Sequence, residues 1–200
     1  MKKFNNKKYT VMLFSTPQMS AYDDSKSIVS NYFNVIDMSK KEQSEYEKYI
    51  NKTDLVISIF NTMRIKGDIL KKTNFNIHAA PSWYRGVGAI GKALYDEKKD
   101  HGVVVHEMNE EIDLGCIFIE DIFSIVGLDA YDIASECIKK SLSHLEYFCD
   151  YFNTYATLPK KDKTLNWSGD LLYQKDFYDW LKKVEFKGKK EVLEIYGQFH

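Results

Sequence analysis

The chain has 200 residues, 44% hydrophobic and 28% charged, enough for one full core or one domain with a small appendage. Its 28 basic and 29 acidic residues leave a formal charge of −1, which gives no bulk attraction to nucleic acid or to an anionic membrane. The longest apolar run, residues 55–60, is far too short to span a bilayer. The basic start MKKFNNKKYT lacks the long apolar core of an export signal. Cys116, Cys137 and Cys149 follow no zinc spacing and read as reduced, buried thiols in a cytoplasmic protein.

Residues 9–14 (YTVMLF) form a continuous apolar run, as a central strand buried on both faces requires. The run stops at Ser15-Thr16-Pro17. A short helix is expected over 23–33, a short strand over 34–38 and a polar helix over 39–50 with Ser39 as its cap. Residues 55–60 (LVISIF) are a second buried strand. A short helix holds Ile69 and Leu70, a third strand covers 75–78, and a helix covers 89–95. Further strands are expected over 102–108 and 115–123. A long amphipathic helix follows over 129–155, capped by Asp129, with Ile133, Cys137, Leu142, Leu145, Cys149 and Phe152 near helical spacing. The Pro-containing, basic stretch 159–163 reads as a linker. A helix over 174–184 and a weak hairpin near Phe186-Lys187-Gly188 complete the chain.

Buried strands alternating with helices predict an α/β fold with a mainly parallel, Rossmann-like sheet and flanking helices. The strands at 9–14, 55–60 and 75–78 should lie side by side. Ligands bind beyond the carboxyl ends of such strands, where Asn76-Ile77-His78 and Ser15-Thr16-Pro17 are expected. Asn76 and His78 are two apart on a strand, so their side chains share a face. The next polar signal is HEMNEEIDLGCI, residues 106–117, an acidic loop that carries Asp113. A carboxylate beside a histidine favours the imidazolium, and an Asn amide can donate to a developing oxyanion. Together they suit acyl transfer to an external nucleophile. Ser82 lacks a nucleophile elbow, and Cys116 falls within an expected strand. The same residues also read as a structural turn and a solvated acidic loop. His101 in a charged turn, His144 on a helix and the terminal His200 have no functional reading.

The order and spacing of these residues resemble the folate-dependent formyltransferase family, most closely its nucleotide-sugar N-formyltransferases. The matching residues are Asn76-Ile77-His78, Pro81, Tyr84-Arg85-Gly86, Gly102-Val103-Val104-Val105-His106, and Asn109 through Asp113-Leu114-Gly115. Met63-Arg64-Ile65 is similar to the family's folate-pocket loop, and FSTPQMS (14–20) to the turn after its first strand. The resemblance covers residues 9–125. The chain departs from the pattern at Ala79-Ala80, where Pro-Ser is usual, and at Asn109, where Asp is usual. It is also short between its first strand and residue 55, so one strand-helix unit is reduced. Ser15-Thr16-Pro17 lacks the glycines of a ribonucleotide-phosphate loop, and too few residues remain for the tRNA enzymes' extra domain.

The resemblance implies transfer of a formyl group from N10-formyltetrahydrofolate to the amino group of a nucleotide-linked amino sugar, of the dTDP-4-amino-dideoxy type used in O-antigen synthesis. It implies Asn76, His78 and Asp113 as catalytic residues, with no metal. Met63, Arg64, Ile65, Asn109 and Ile112 would hold the folate, and Tyr84, Arg85 and Thr16 the sugar nucleotide. Residues 1–158 would be the catalytic domain and 159–200 a linker with an aromatic tail, read as a contact in a homodimer. Neither nucleic acid nor membrane is an expected partner. Hydrolysis of the formyl donor, transfer to glycinamide ribonucleotide, and a non-catalytic folate- or nucleotide-binding role are the alternatives.

Overall fold

The computed structural model describes residues 8–197. The first seven residues of the basic start and His200 lie outside that range. Strand β1 (Thr10–Phe14) leads through helix α1 (Tyr22–Tyr32) to β2 (Asn34–Asp37). A one-turn helix α2 (Glu47–Ile50) precedes β3 (Leu55–Ile59), and a 3-10 turn over Gly67–Lys71 precedes β4 (Asn74–His78). Then come β5 (Arg85–Gly86), α3 (Ala89–Tyr95), β6 (Asp100–His106), β7 (Ile117–Ser124) and the long helix α4 (Ala130–Tyr155). The tail holds β8 (Leu171–Leu172), α5 (Gln174–Leu181) and α6 (Lys189–Gly197).

The main sheet has the order β2-β1-β3-β4-β6-β7. The first four strands are mutually parallel; β6 and β7 are antiparallel to their neighbours. The three strands expected side by side are therefore neighbours in one sheet. Both faces of β1 are buried, which is why its sequence does not alternate. Val11 and Leu13 join the core under α1 and α4, while Met12 and Phe14 pack with Met38, Tyr46 and Ile69 on the other face. Phe14, Phe33, Phe75 and Phe148 are fully enclosed. Burial of each stabilises the fold by roughly 1.5–3 kcal/mol.

Helix α4 starts at a capping box: the Asp129 carboxylate accepts from the Asp132 N–H while the Asp132 carboxylate accepts from Asp129 N–H. Ile133, Cys137, Ser141, Leu145, Phe148 and Phe152 then recur every three or four residues on its buried stripe. This helix packs across β4 and β6 and lies beside α1. In the tail, Phe177, Leu181 and Val192 belong to the same core as the sheet and α4. The fit is tight at Gly88, whose φ is +86° and where a Cβ would stand 2.1 Å from the Phe177 ring.

Four expectations need correction. Residues 39–50 do not form one helix. The Ser39 N–H donates to Asp37 Oδ1 (3.0 Å), holding the chain at the end of β2, and only a 3-10 turn (Gln43–Glu45) and α2 follow. No hairpin forms at Phe186; the chain turns there into α6, with Val192, Ile195 and Tyr196 packed inward at helical spacing. Cys116 is exposed and precedes β7, while Cys137 and Cys149 are buried. His101 is no turn residue: β6 begins at Asp100, and its pairing with β7 encloses the imidazole.

Candidate active site

The register of β4 against β6 sets the site. Asn76 lies opposite His106 across the antiparallel pair, with an irregularity in the ladder at Val105/His106. Beyond His106 the chain leaves the sheet. Met108 N–H donates to Asn74 Oδ1 (2.6 Å), and Gly115 returns so close to Glu107 that a Cβ there would lie 1.6 Å from the Glu107 carbonyl oxygen. The loop between carries Asp113 in a left-handed conformation (φ 49°), which Asp tolerates better than most residues.

Asp113 is 7% exposed and lies between two imidazoles. Its Oδ2 is 3.5 Å from His78 Nδ1 and its Oδ1 is 3.4 Å from His106 Nε2. Gly86 N–H donates to Oδ2 at 2.8 Å. Burial opposes the charge on this carboxyl. The nearby positive charge of His78 and the Gly86 N–H outweigh that penalty and hold the group far below the usual carboxylate range. His78 Nε2 is 2.7 Å from the Tyr84 carbonyl oxygen, which can only accept, so this nitrogen carries a proton. His78 therefore presents one nitrogen to a carbonyl and the other to a carboxylate, an arrangement that satisfies an imidazolium on both sides.

Asn76, His78 and Asp113 open onto a cavity of about 790 Å³. Its lining includes Met63, Arg64 and Ile65 after β3, and Asn109 and Ile112 of the acidic loop. Ser20, with Tyr131 and Ser135 of α4, and Gln174, Tyr178 and Glu194 of the tail also line it. Its size lies within the range of small-molecule sites. The apolar side chains of Met63, Ile65 and Ile112 and the backbone groups of their loops can bind a flat, hydrogen-bonding ring system. Among the described residues, no group of three or more His, Cys, Asp or Glu is arranged to hold a metal ion, and no helix is long and apolar enough to cross a membrane.

Three expected substrate residues are occupied elsewhere and do not line this cavity. Arg85 donates through Nε to the Asp113 carbonyl (2.9 Å), through one terminal nitrogen to that of Ile112 (2.9 Å), and through the other to that of Gly169 (3.4 Å). It fastens the acidic loop to the tail. Tyr84 OH donates to Asp96 (3.0 Å) on the far side of its turn. Thr16 Oγ1 accepts from Thr62 N–H (3.1 Å), tying the loop after β1 to the loop after β3.

Two residues at the site had no role in the sequence. His106 is the cross-strand partner of Asn76, with Nε2 3.0 Å from Asn76 Nδ2. Its place in Gly-Val-Val-Val-His was visible, but its partner depends on a register that sequence spacing does not carry. Trp167 comes from the tail. Its indole N–H donates to the Gly115 carbonyl (2.8 Å), and its ring lies edge-on to His106 (4.9 Å between centroids) and His78 (5.8 Å).

No protein-family model matches the chain, and no curated protein matches it in sequence. Solved structures do match in shape. A 4-N formyltransferase from Francisella tularensis superposes with a TM-score of 0.72 at 15% identity, over 94% of this chain and 86% of that one. The formyltransferase PseJ from Anoxybacillus kamchatkensis, in complex with UDP-4,6-dideoxy-4-formamido-L-AltNAc and tetrahydrofolate, gives 0.63 at 18% identity, over 96% of this chain and 100% of that one. HypX from Aquifex aeolicus, in complex with tetrahydrofolic acid, gives 0.62 at 19% identity, over 94% of this chain but 34% of its own length. At such identities the likeness carries the architecture: this chain has the formyltransferase fold.

Proposed function

We propose that the protein transfers a formyl group from N10-formyltetrahydrofolate to the amino group of a nucleotide-linked amino sugar. The observation that carries this reading is the convergence of Asn76, His78 and Asp113 on one cavity of the formyltransferase fold. The loop 63–65 and the loop 109–113 would hold the folate, chiefly through backbone groups. When bound, the folate supplies a formyl carbon whose oxygen becomes negative as an amine adds to it.

Each side chain then has a defined task. The Asn76 amide donates an N–H toward that oxygen. His78, held between the Tyr84 carbonyl and Asp113, places a positive charge beside it. Direct donation by His78 requires one of those two contacts to open. Asp113 keeps His78 charged and relays the proton that the attacking amine must lose, directly or through water, toward N10 of the donor, whose bond to the formyl carbon breaks so that tetrahydrofolate would leave. No protein nucleophile is needed, since the amine itself attacks.

The hydroxyl and aromatic groups of Ser20, Tyr131, Ser135 and Tyr178, which also line the cavity, suit an amino sugar. Arg64 is the only Lys or Arg side chain lining the cavity among the described residues, and it already donates to the Glu110 carbonyl (3.0 Å). The sugar is therefore read as entering the cavity, with the diphosphate toward solvent. Sugar N-formyltransferases among the structural neighbours support this acceptor class. The test is a panel of UDP- and dTDP-linked amino sugars incubated with N10-formyltetrahydrofolate and followed by mass spectrometry. A product heavier by one formyl group is expected. Release of formate without such a product, for every acceptor, would replace transfer by hydrolysis.

A further inference from the structure

We propose that His106 is a positioning residue that sets which way the Asn76 amide faces; this rests on the reading of Asn76 as the oxyanion donor. His106 Nδ1 lies 2.8 Å from the Glu107 carbonyl oxygen. A carbonyl oxygen has no proton to give, so Nδ1 carries one. Asn76 Nδ2, which can only donate, is 3.0 Å from Nε2, whereas Asp113 Oδ1 stands 3.4 Å away, beyond the usual reach of a charge-assisted bond; this geometry matches the neutral ring, with a lone pair on Nε2 that an N–H of Asn76 satisfies. An amide rotated by 180° would set its carbonyl oxygen against that lone pair.

The consequence is specific. A primary amide has two N–H bonds on one nitrogen. His106 takes one, which fixes the nitrogen end of Asn76 and leaves the second N–H for the cavity. An unconstrained amide could present its oxygen to the reacting oxygen instead and repel the charge it is meant to stabilise. The His106 ring is itself held on three sides. Glu107 fixes Nδ1, the Trp167 ring packs edge-on against it, and the imidazole is 2% exposed. The Asp113 carboxylate is its only charged neighbour within ion-pair distance among the described residues, 3.4 Å from Nε2.

Two measurements test the proposal. Nitrogen-15 NMR of the wild-type protein, with His106 assigned by its loss in His106→Gln, should show a protonated Nδ1 and a lone pair on Nε2. In kinetics, His106→Phe fills the space but accepts no proton. Its kcat should fall by about 10²-fold, the loss typical of one missing oxyanion donor, while 5-formyltetrahydrofolate binding is unchanged. His106→Gln should regain much of that rate, because its side-chain oxygen accepts the same amide proton. A proton on Nε2, or equal kcat for the Phe and Gln variants, would overturn the inference. Absence of formyl transfer by the wild-type protein would remove the proposed function, whereas the NMR result decides the His106 tautomer without any measurement of activity.

Discussion

His101 and His106 lie at opposite ends of β6, and both are almost completely buried, at 0% and 2% exposure. Their surroundings differ. His101 faces Cys137 (3.4 Å from Nδ1) and the Phe123 ring, inside the core under α4. Burial, reinforced by the positive charge of His78, pushes its pKa down to about 4. His106 faces an amide, a carbonyl and a carboxylate. Burial alone therefore does not make a histidine functional. A dry pocket keeps an imidazole uncharged, while a pocket of matched polar groups fixes its protons.

The strongest way to break this contrast is at the polar end. Asp113→Asn keeps the shape but removes the charge that faces both His78 and His106. Formyl transfer should fall by about 10²–10⁴-fold, the range for losing a positioned acid or base. On the proposed reading, in which the loops at 63–65 and 109–113 hold the folate chiefly through backbone groups, folate affinity should persist. Single-turnover rates and a folate titration would separate the two effects. Near-normal turnover in this variant would sink the mechanism.

At the apolar end the expected effect is on stability. The unfolded chain protonates His101 near its ordinary 6.5, and the folded chain only near 4. Between those values the unfolded state binds more protons, so stability falls as pH falls. The loss amounts to about 3 kcal/mol across the window and is complete below it. The depressed carboxyls Asp37 and Asp113 act in the same direction, but only below the ordinary carboxylate range near 3.8. Denaturant unfolding from pH 7.5 to 4 should show a decline for the wild type that is much reduced in His101→Leu. Parallel curves would mean that His101 is not the group responsible.

The sequence carried one end of this comparison better than the other. Asn76 and His78 were legible because a strand alternates, and two residues apart means one face. Asp113 was legible through its loop. His106 as the partner of Asn76 was not, because cross-strand register is a long-range property that local spacing does not encode. His101 looked like part of a charged turn, with Asp100 and the lysines 98 and 99 beside it. The ladder with β7 buries it all the same. The apolar runs of β1 and β3 gave the sheet, whereas the polar stretch 39–50 gave a helical pattern that Asp37 interrupts. Helix α6 was missed although Val192, Ile195 and Tyr196 keep helical spacing, because the glycine before it suggested a hairpin.

Arg85 sharpens the contrast between what a residue type suggests and what its partners use it for. A guanidinium beside an aromatic turn suggests phosphate binding, which predicts that Arg85→Ala raises the acceptor KM. The structure instead commits its donors to the carbonyls of Asp113, Ile112 and Gly169. Loss of those charge-assisted bonds should cost about 2 kcal/mol of stability, and it should lower kcat because the Asp113 loop loosens. A variant with unchanged stability and kcat but a raised KM would return Arg85 to the substrate.

The smallest expected effect lies at Trp167, where the tail meets both histidines of the candidate site. Trp167→Phe keeps an aromatic edge against His106 and His78 but deletes the indole N–H that donates to the Gly115 carbonyl. That bond pins the end of the loop carrying Asp113. One neutral hydrogen bond contributes about 1 kcal/mol, so the unfolding midpoint should drop modestly and kcat should fall only several-fold. Trp167→Ala removes the ring as well and admits water around His106, and its loss of kcat should exceed that of the Phe variant clearly. The ratio between the two variants is informative because both lack the same hydrogen bond. Any difference therefore reports the ring itself, as a wall that keeps the polar end of β6 dry enough for its hydrogen bonds to hold. Equal kcat for Phe and Ala would reduce Trp167 to a tether for the loop and leave the exclusion of water to other groups.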